Sequence, residues 1–205
     1  MFQKIRSIMN SGSVMGYFLQ VFPVAILVGI LYVVIRIAFF KKQNRQIQWL
    51  SELLRVLFVC YLTGLVSLVV LPANFWLCFY DGIFFGWWDG LRERLHIGDV
   101  NLVPSVIKCL AGELALGSWV KTMLVYNILM FVPFGFFLPL TTKIKSVRKM
   151  LLVAAVTPVC MEVLQLVFGR SFDADDLICN FIGILAGAAL AFAALKIPAL
   201  SARKH

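Results

Sequence analysis

The residues best placed to do chemistry lie in the second half of the chain: Asn101, Asn127, Glu162, Gln165, Arg170, Asp173, Asp176 and Asn180. Glu162 stands out because its neighbours on both sides are apolar, and a carboxylate inside a membrane-like stretch costs at least ~2.5 kcal/mol, which makes it a functional residue by default. Gln165 follows three residues later on the same helical face, and Pro158 precedes on that face, where its ring frees the Ala154 carbonyl and bends the helix. Asp176, Asn180, Gly183 and Gly187 are spaced four, three and four apart, a single helical stripe that is polar at one end and small in the middle. The small end suits close helix packing. Asp173 and Asp176 fall in the first turn of that helix, where carboxylates cap exposed amides and meet the positive end of the dipole.

These types support two chemistries. Arg170 suits an anionic headgroup, because a planar guanidinium engages two phosphate oxygens at once, while Asn127, Gln165 and Asn180 orient a ligand through neutral hydrogen bonds. Alternatively, Glu162 acts as general acid or base while Asp173 and Asp176 hold a cation or a water. The second reading lacks a nucleophile: the apolar stretches contain no Ser/His pairing, no HExxH and no phosphate-cradling glycine loop. His96 has no second histidine nearby, and the cysteines at 60, 78, 109, 160 and 179 show no CxxC spacing, so no metal site and no cofactor is expected.

The elements that must position these groups are membrane helices. The chain of 205 residues is 61% hydrophobic and only 14% charged, against about a quarter charged in soluble domains. Five apolar stretches reach the ~18 residues that a span requires. They fall at about Tyr17–Ile35, Leu53–Leu71, Val120–Leu140, Met150–Phe168 and Leu177–Leu195. The expectation is an all-α integral membrane protein, a single domain over residues 1–205. At ~1.5 Å per residue Glu162 sits ~9 Å from the Phe168 end of its span and Asn127 ~10 Å from the Val120 end of its own, so the two share a depth. An opening Lys4 and Arg6 before an apolar run imitates a signal peptide, but the run is too long, and it reads as a retained first helix.

The net charge of +9 is dispersed over short loops, which excludes a nucleic-acid face and reports topology instead. Lys41, Lys42 and Arg45 in the first loop, and Lys143, Lys145, Arg148 and Lys149 in the third, stand without an acid. Both loops are expected in the cytoplasm, which puts the N-terminus outside and the C-terminus inside. Segment 73–118 and loop 169–176 are then extracytoplasmic, and each holds more acids than bases. The former carries Trp76, Trp87 and Trp88, a density suited to the headgroup boundary, and is expected to form an interfacial or re-entrant element.

Taken in order, Asn101-Leu102-Val103-Pro104, Asn127 ahead of Phe131-Val132-Pro133-Phe134-Gly135-Phe136, Glu162-x-x-Gln165, and Arg170-x-x-Asp173-x-x-Asp176-x-x-x-Asn180-x-x-Gly183-x-x-x-Gly187 resemble the VanZ-like family of bacterial membrane proteins. The resemblance covers roughly residues 101–190, and it departs from the family at Ser105, where an aromatic is more usual. It implies a role at the cell envelope, the founding member being linked to teicoplanin resistance. On that basis the expected partners are membrane lipids and an outer-leaflet ligand, either a lipid-linked cell-wall intermediate or a glycopeptide. Trp87 and Trp88 would flank its head. The alternatives are an intramembrane hydrolase or transferase built on Glu162 and the Asp173/Asp176 pair, and a purely structural set of interhelical contacts in which Arg170, or else Lys121, pairs with Glu162.

Overall fold

A computed structural model of the chain describes residues 2–43, 46, 48–111 and 117–196. Its long helices are α2 (Val14–Gln43), α3 (Trp49–Val69), α7 (Ser118–Thr141), α8 (Val147–Val167) and α9 (Ala174–Leu195). Shorter elements are α1 (Phe2–Met9), α4 (Phe75–Phe85), α5 (Asp89–Arg92), α6 (Ser105–Leu110) and the two-residue strands β1 (Val100–Asn101) and β2 (Phe172–Asp173). Among the described residues five helices are long and apolar enough to cross a membrane, over Met15–Gln43, Trp49–Val69, Lys121–Thr141, Val147–Val167 and Ala174–Leu195. The expected all-α membrane fold is therefore the observed one. The helices overrun their expected bounds at several ends, most at the close of α2, because a helix can continue past the apolar stretch while long basic side chains such as Lys41 and Lys42 reach water.

The chain divides into two compact units: residues up to Asp99 with Leu164–Arg170, and Val100–Val163 with the residues from Ser171 on. In the first unit α2 and α3 pack antiparallel, and Cys60 Sγ donates to the Ala25 carbonyl at 3.4 Å. Near the basic end of this pair Arg36 engages Glu52 through two nitrogens, at 2.8 and 2.6 Å, and Arg55 adds a second ion pair to the same carboxylate. At the other end Gln20, which is buried, donates through Nε2 to the Met9 carbonyl at 2.7 Å and to Asn74 Oδ1 at 2.9 Å, joining α1, α2 and the start of α4. The aromatic-rich segment thus forms two short helices, α4 and α5, with 11 residues in the longer. That is about 16 Å, well short of a span.

In the second unit α7 and α9 run parallel and nearly touch. A Cβ added at Gly183 would overlap the Ile128 carbonyl, one at Gly187 the Val132 carbonyl, and one at Gly135 the Ile184 carbonyl. Glycine is what lets the backbones approach so closely. Along α9 the buried residues are Asp175, Cys179, Asn180, Gly183, Ile184, Gly187, Ala188 and Ala191; of the stripe that the spacing predicts, Asn180, Gly183 and Gly187 are buried and Asp176 is half-buried.

Candidate functional site

The site is assembled around the start of α9. β2 pairs in parallel with β1, with Asn101 opposite Asp173 and Val100 opposite Phe172. This brings the 101–105 stretch beside the first turn of α9. Asp173 is the N-cap: it has extended backbone, φ −126° and ψ 128°, and its Oδ1 accepts from the Asp175 amide at 2.9 Å. A short acceptor in this position satisfies an amide that the helix leaves open. The other Asp173 oxygen accepts from Asn101 Nδ2 at 3.0 Å, and Lys108 Nζ donates to Asn101 Oδ1 at 2.9 Å. The Asp173 amide donates to Glu162 Oε2 at 2.9 Å. Asn127, from α7, donates through Nδ2 to Asp176 Oδ1.

Glu162 is fully buried, as is Asn180 to within 2%, one turn beyond Asp176. Glu162 reaches this place because α8 buries one stripe made of Met150, Ala154, Pro158, Met161, Glu162 and Gln165. The spacing of these residues follows the helical period. Asn101, Asn127, Glu162, Asp173 and Asp176 are thus brought into two hydrogen-bonded sets that meet at the first turn of α9. Two of the other expected residues, Gln165 and Arg170, belong to the first unit.

There α8 ends on Gly169, whose φ of +79° is a left-handed conformation that favours glycine, and the Arg170 amide donates to the Gln165 carbonyl at 2.9 Å. The guanidinium of Arg170 donates through Nη1 to the carbonyls of Leu68 at 3.0 Å and Leu71 at 3.3 Å. The Leu68 carbonyl lies in the last turn of α3, where a helix leaves acceptors open and its dipole favours a cation, and Leu71 lies two residues beyond its end.

Two participants escaped the sequence reading. Asp175 is buried and its two oxygens accept from the Ser105 amide at 3.1 and 2.9 Å, closing the start of α6; Lys108 holds Asn101. The available signal was Pro104 followed by a helix-permissive stretch, which leaves the Ser105 amide in search of an acceptor. Asp175→Ala is expected to lower stability by about 1 kcal/mol, the usual worth of a capping carboxylate, with Asp175→Asn in between. Thermal unfolding in detergent reads this, and an unchanged midpoint for the alanine variant would remove Asp175 from the assembly.

Chemically, the cluster gathers four carboxylates, Glu162, Asp173, Asp175 and Asp176, with the ammonium of Lys108 bonded to Asn101 beside them. Helix amides offset part of the carboxylate charge. Among the described residues no group of three or more His, Cys, Asp or Glu is arranged to hold a metal ion. An acceptor-rich cluster of this kind suits a ligand that brings hydroxyl or amide donors.

In comparison with known proteins, the family model described as VanZ/LLP1 matches residues 26–196 of the chain. No curated protein and no solved structure matches it.

Proposed function

Given that the chain belongs to the VanZ/LLP1 family, we propose that this multi-pass membrane protein works at the cell envelope by binding an outer-leaflet or cell-wall-related ligand and thereby alters susceptibility to glycopeptides such as teicoplanin. The observation that carries the reading is the convergence of Asn101, Asn127, Glu162, Asp173 and Asp176 on the first turn of α9. The cluster is built of carboxylates and amides, and the carbohydrate or peptide head of a glycopeptide or a lipid-linked wall intermediate carries the hydroxyls and amides that such groups bond. Asn180, buried one turn deeper, adds an amide that both donates and accepts. The basic loops at 41–45 and 143–149 support an N-terminus outside and a C-terminus in the cytoplasm, and in that orientation this end of α9 faces outward.

The test is a comparison of Asn127→Ala and Asn180→Ala with the unaltered protein in cells, reading membrane protein level and teicoplanin susceptibility separately. The expected result is normal protein level with susceptibility returned to that of cells lacking the protein. Loss of protein in both variants would reduce the cluster to helix-holding contacts. Reporter fusions after Lys149 and after Asp176 accompany it: the first should report the cytoplasm and the second the outside, and the reverse would move the site to the wrong leaflet.

A further inference from the structure

Within the first unit a cleft of about 420 Å³ opens between α1 and the α4–α5 region, lined among others by Arg6, Asn10, Asn74, Cys78, Asp81 and Arg94. It lies outside the spans, since α2 enters its apolar stretch at Met15 and α3 leaves its own at Val69. Arg6 donates through Nη2 to Asp81 Oδ2 at 2.9 Å, and its guanidinium stands 5.4 Å from the Trp87 ring centroid and 5.8 Å from that of Phe85. Stacking of this kind holds a guanidinium in place without using its donors. Arg94 is pinned by two backbone carbonyls, Ala73 at 3.0 Å from Nε and Gly90 at 2.7 Å from Nη1, which leaves Nη2 without a partner among the described residues.

Two guanidiniums therefore face one carboxylate, so one positive charge in the cleft has no counter-charge from its lining. Burial pushes the Cys78 thiol up from its ordinary range, and the sulfur adds no negative charge. Glu93 lies outside the lining, though its charge, like that of Asp81, acts on Cys78. Trp87, which stacks on Arg6, is 56% exposed and Phe85 44%, a pairing of bare aromatic surface with a cationic hollow that fits the headgroup level of a bilayer.

We propose that this cleft is a second binding site, separate from the cluster at α9, which takes a phosphate group of the kind carried by an anionic lipid headgroup. Arg94 supplies the free donor, Arg6 the second charge, and Asn10 a neutral amide at the rim. The aromatic side chains accept the adjoining acyl region.

The experiment uses the full chain in a neutral maltoside detergent and follows tryptophan fluorescence against dihexanoyl-phosphatidylglycerol, against dihexanoylglycerol, which lacks the phosphate, and against inorganic phosphate. Saturable binding of the phosphatidylglycerol but not of dihexanoylglycerol is expected. Asp81→Asn, which releases Arg6, should tighten it several-fold, and Arg94→Gln should weaken it by about tenfold, the worth of one charge-assisted contact. Inorganic phosphate that binds with the same dependence on these variants assigns the site to free phosphate; phosphatidylglycerol alone assigns it to lipid, and either supports the phosphate chemistry. Equal binding of dihexanoylglycerol, no saturation with either phosphate probe, or an Asp81→Asn affinity that does not rise overturns it. Because Asp81→Asn predicts a gain, a misfolded Arg94→Gln cannot hide the answer.

Discussion

Gly187→Leu is expected to leave little folded protein in the membrane. A Cβ at this position would already overlap the Val132 carbonyl and press on the Phe136 amide, so a leucine can be accommodated only if α7 and α9 move apart. In lipid there is no hydrophobic force to hold separated helices together, and their association rests on close packing and interhelical hydrogen bonds. Separation removes the packing and breaks the Asn127–Asp176 bond at once. Overpacking a core commonly costs about 1–3 kcal/mol, and here the obstacle is backbone, which cannot rotate away, so at least the upper end of that range is expected. The matched control is Gly64→Leu in α3, where nothing lies within 4 Å of an added Cβ. Detergent unfolding and membrane protein level should fall for the first and hold for the second. Equal behaviour of the two would mean that the α7–α9 seam does not limit stability.

Glu162→Ala is expected to be nearly as damaging, at about 3 kcal/mol, because it takes the acceptor from the Asp173 amide and leaves a hole where a fully buried side chain stood. Glu162→Gln keeps both the shape and an acceptor oxygen for that amide, and its cost should be about 1 kcal/mol. The order of these two matters more than either magnitude. Thermal midpoints in detergent give it directly, and an alanine variant as stable as the glutamine variant would show that Glu162 does not hold the start of α9.

Why some of this was legible from sequence and some was not follows from the range of the interactions. The spans were legible because hydropathy acts over one continuous stretch. The α9 stripe was legible because the helical period alone puts Asp176, Asn180, Gly183 and Gly187 in line. Depth-matching from helix ends put Asn127 and Glu162 at one level, and both are found bonded to residues that open α9. Asp175 was missed because its partner, the Ser105 amide, lies 70 residues away and is brought near by the β1–β2 pairing, which no local pattern announces; Lys108 was missed because its partner Asn101, seven residues earlier, is reached only once the chain turns at Pro104 into α6. Arg170 was expected to meet an anionic headgroup because a guanidinium suits phosphate, and to pair with Glu162 because it is the nearest cation in sequence. The left-handed turn at Gly169 precedes it, and its Nη1 donates to the Leu68 and Leu71 carbonyls at and just beyond the end of α3. A turn of that kind redirects a side chain in a way that counting residues does not capture. The Arg6–Asp81 pair, joined across 75 residues, was equally invisible.

The parallel β1–β2 pairing also constrains the order of manufacture. β1 is synthesised before α7 and α8, and β2 only after both, so the two strands can meet only once α8 has returned the chain across the bilayer. Until α9 leaves the ribosome, Asn127 has no Asp176, Asn101 has no Asp173, and Glu162 sits in its helix without the amide that it accepts in the finished protein. The arrival of α9 beside α7 is therefore the step that completes this polar cluster.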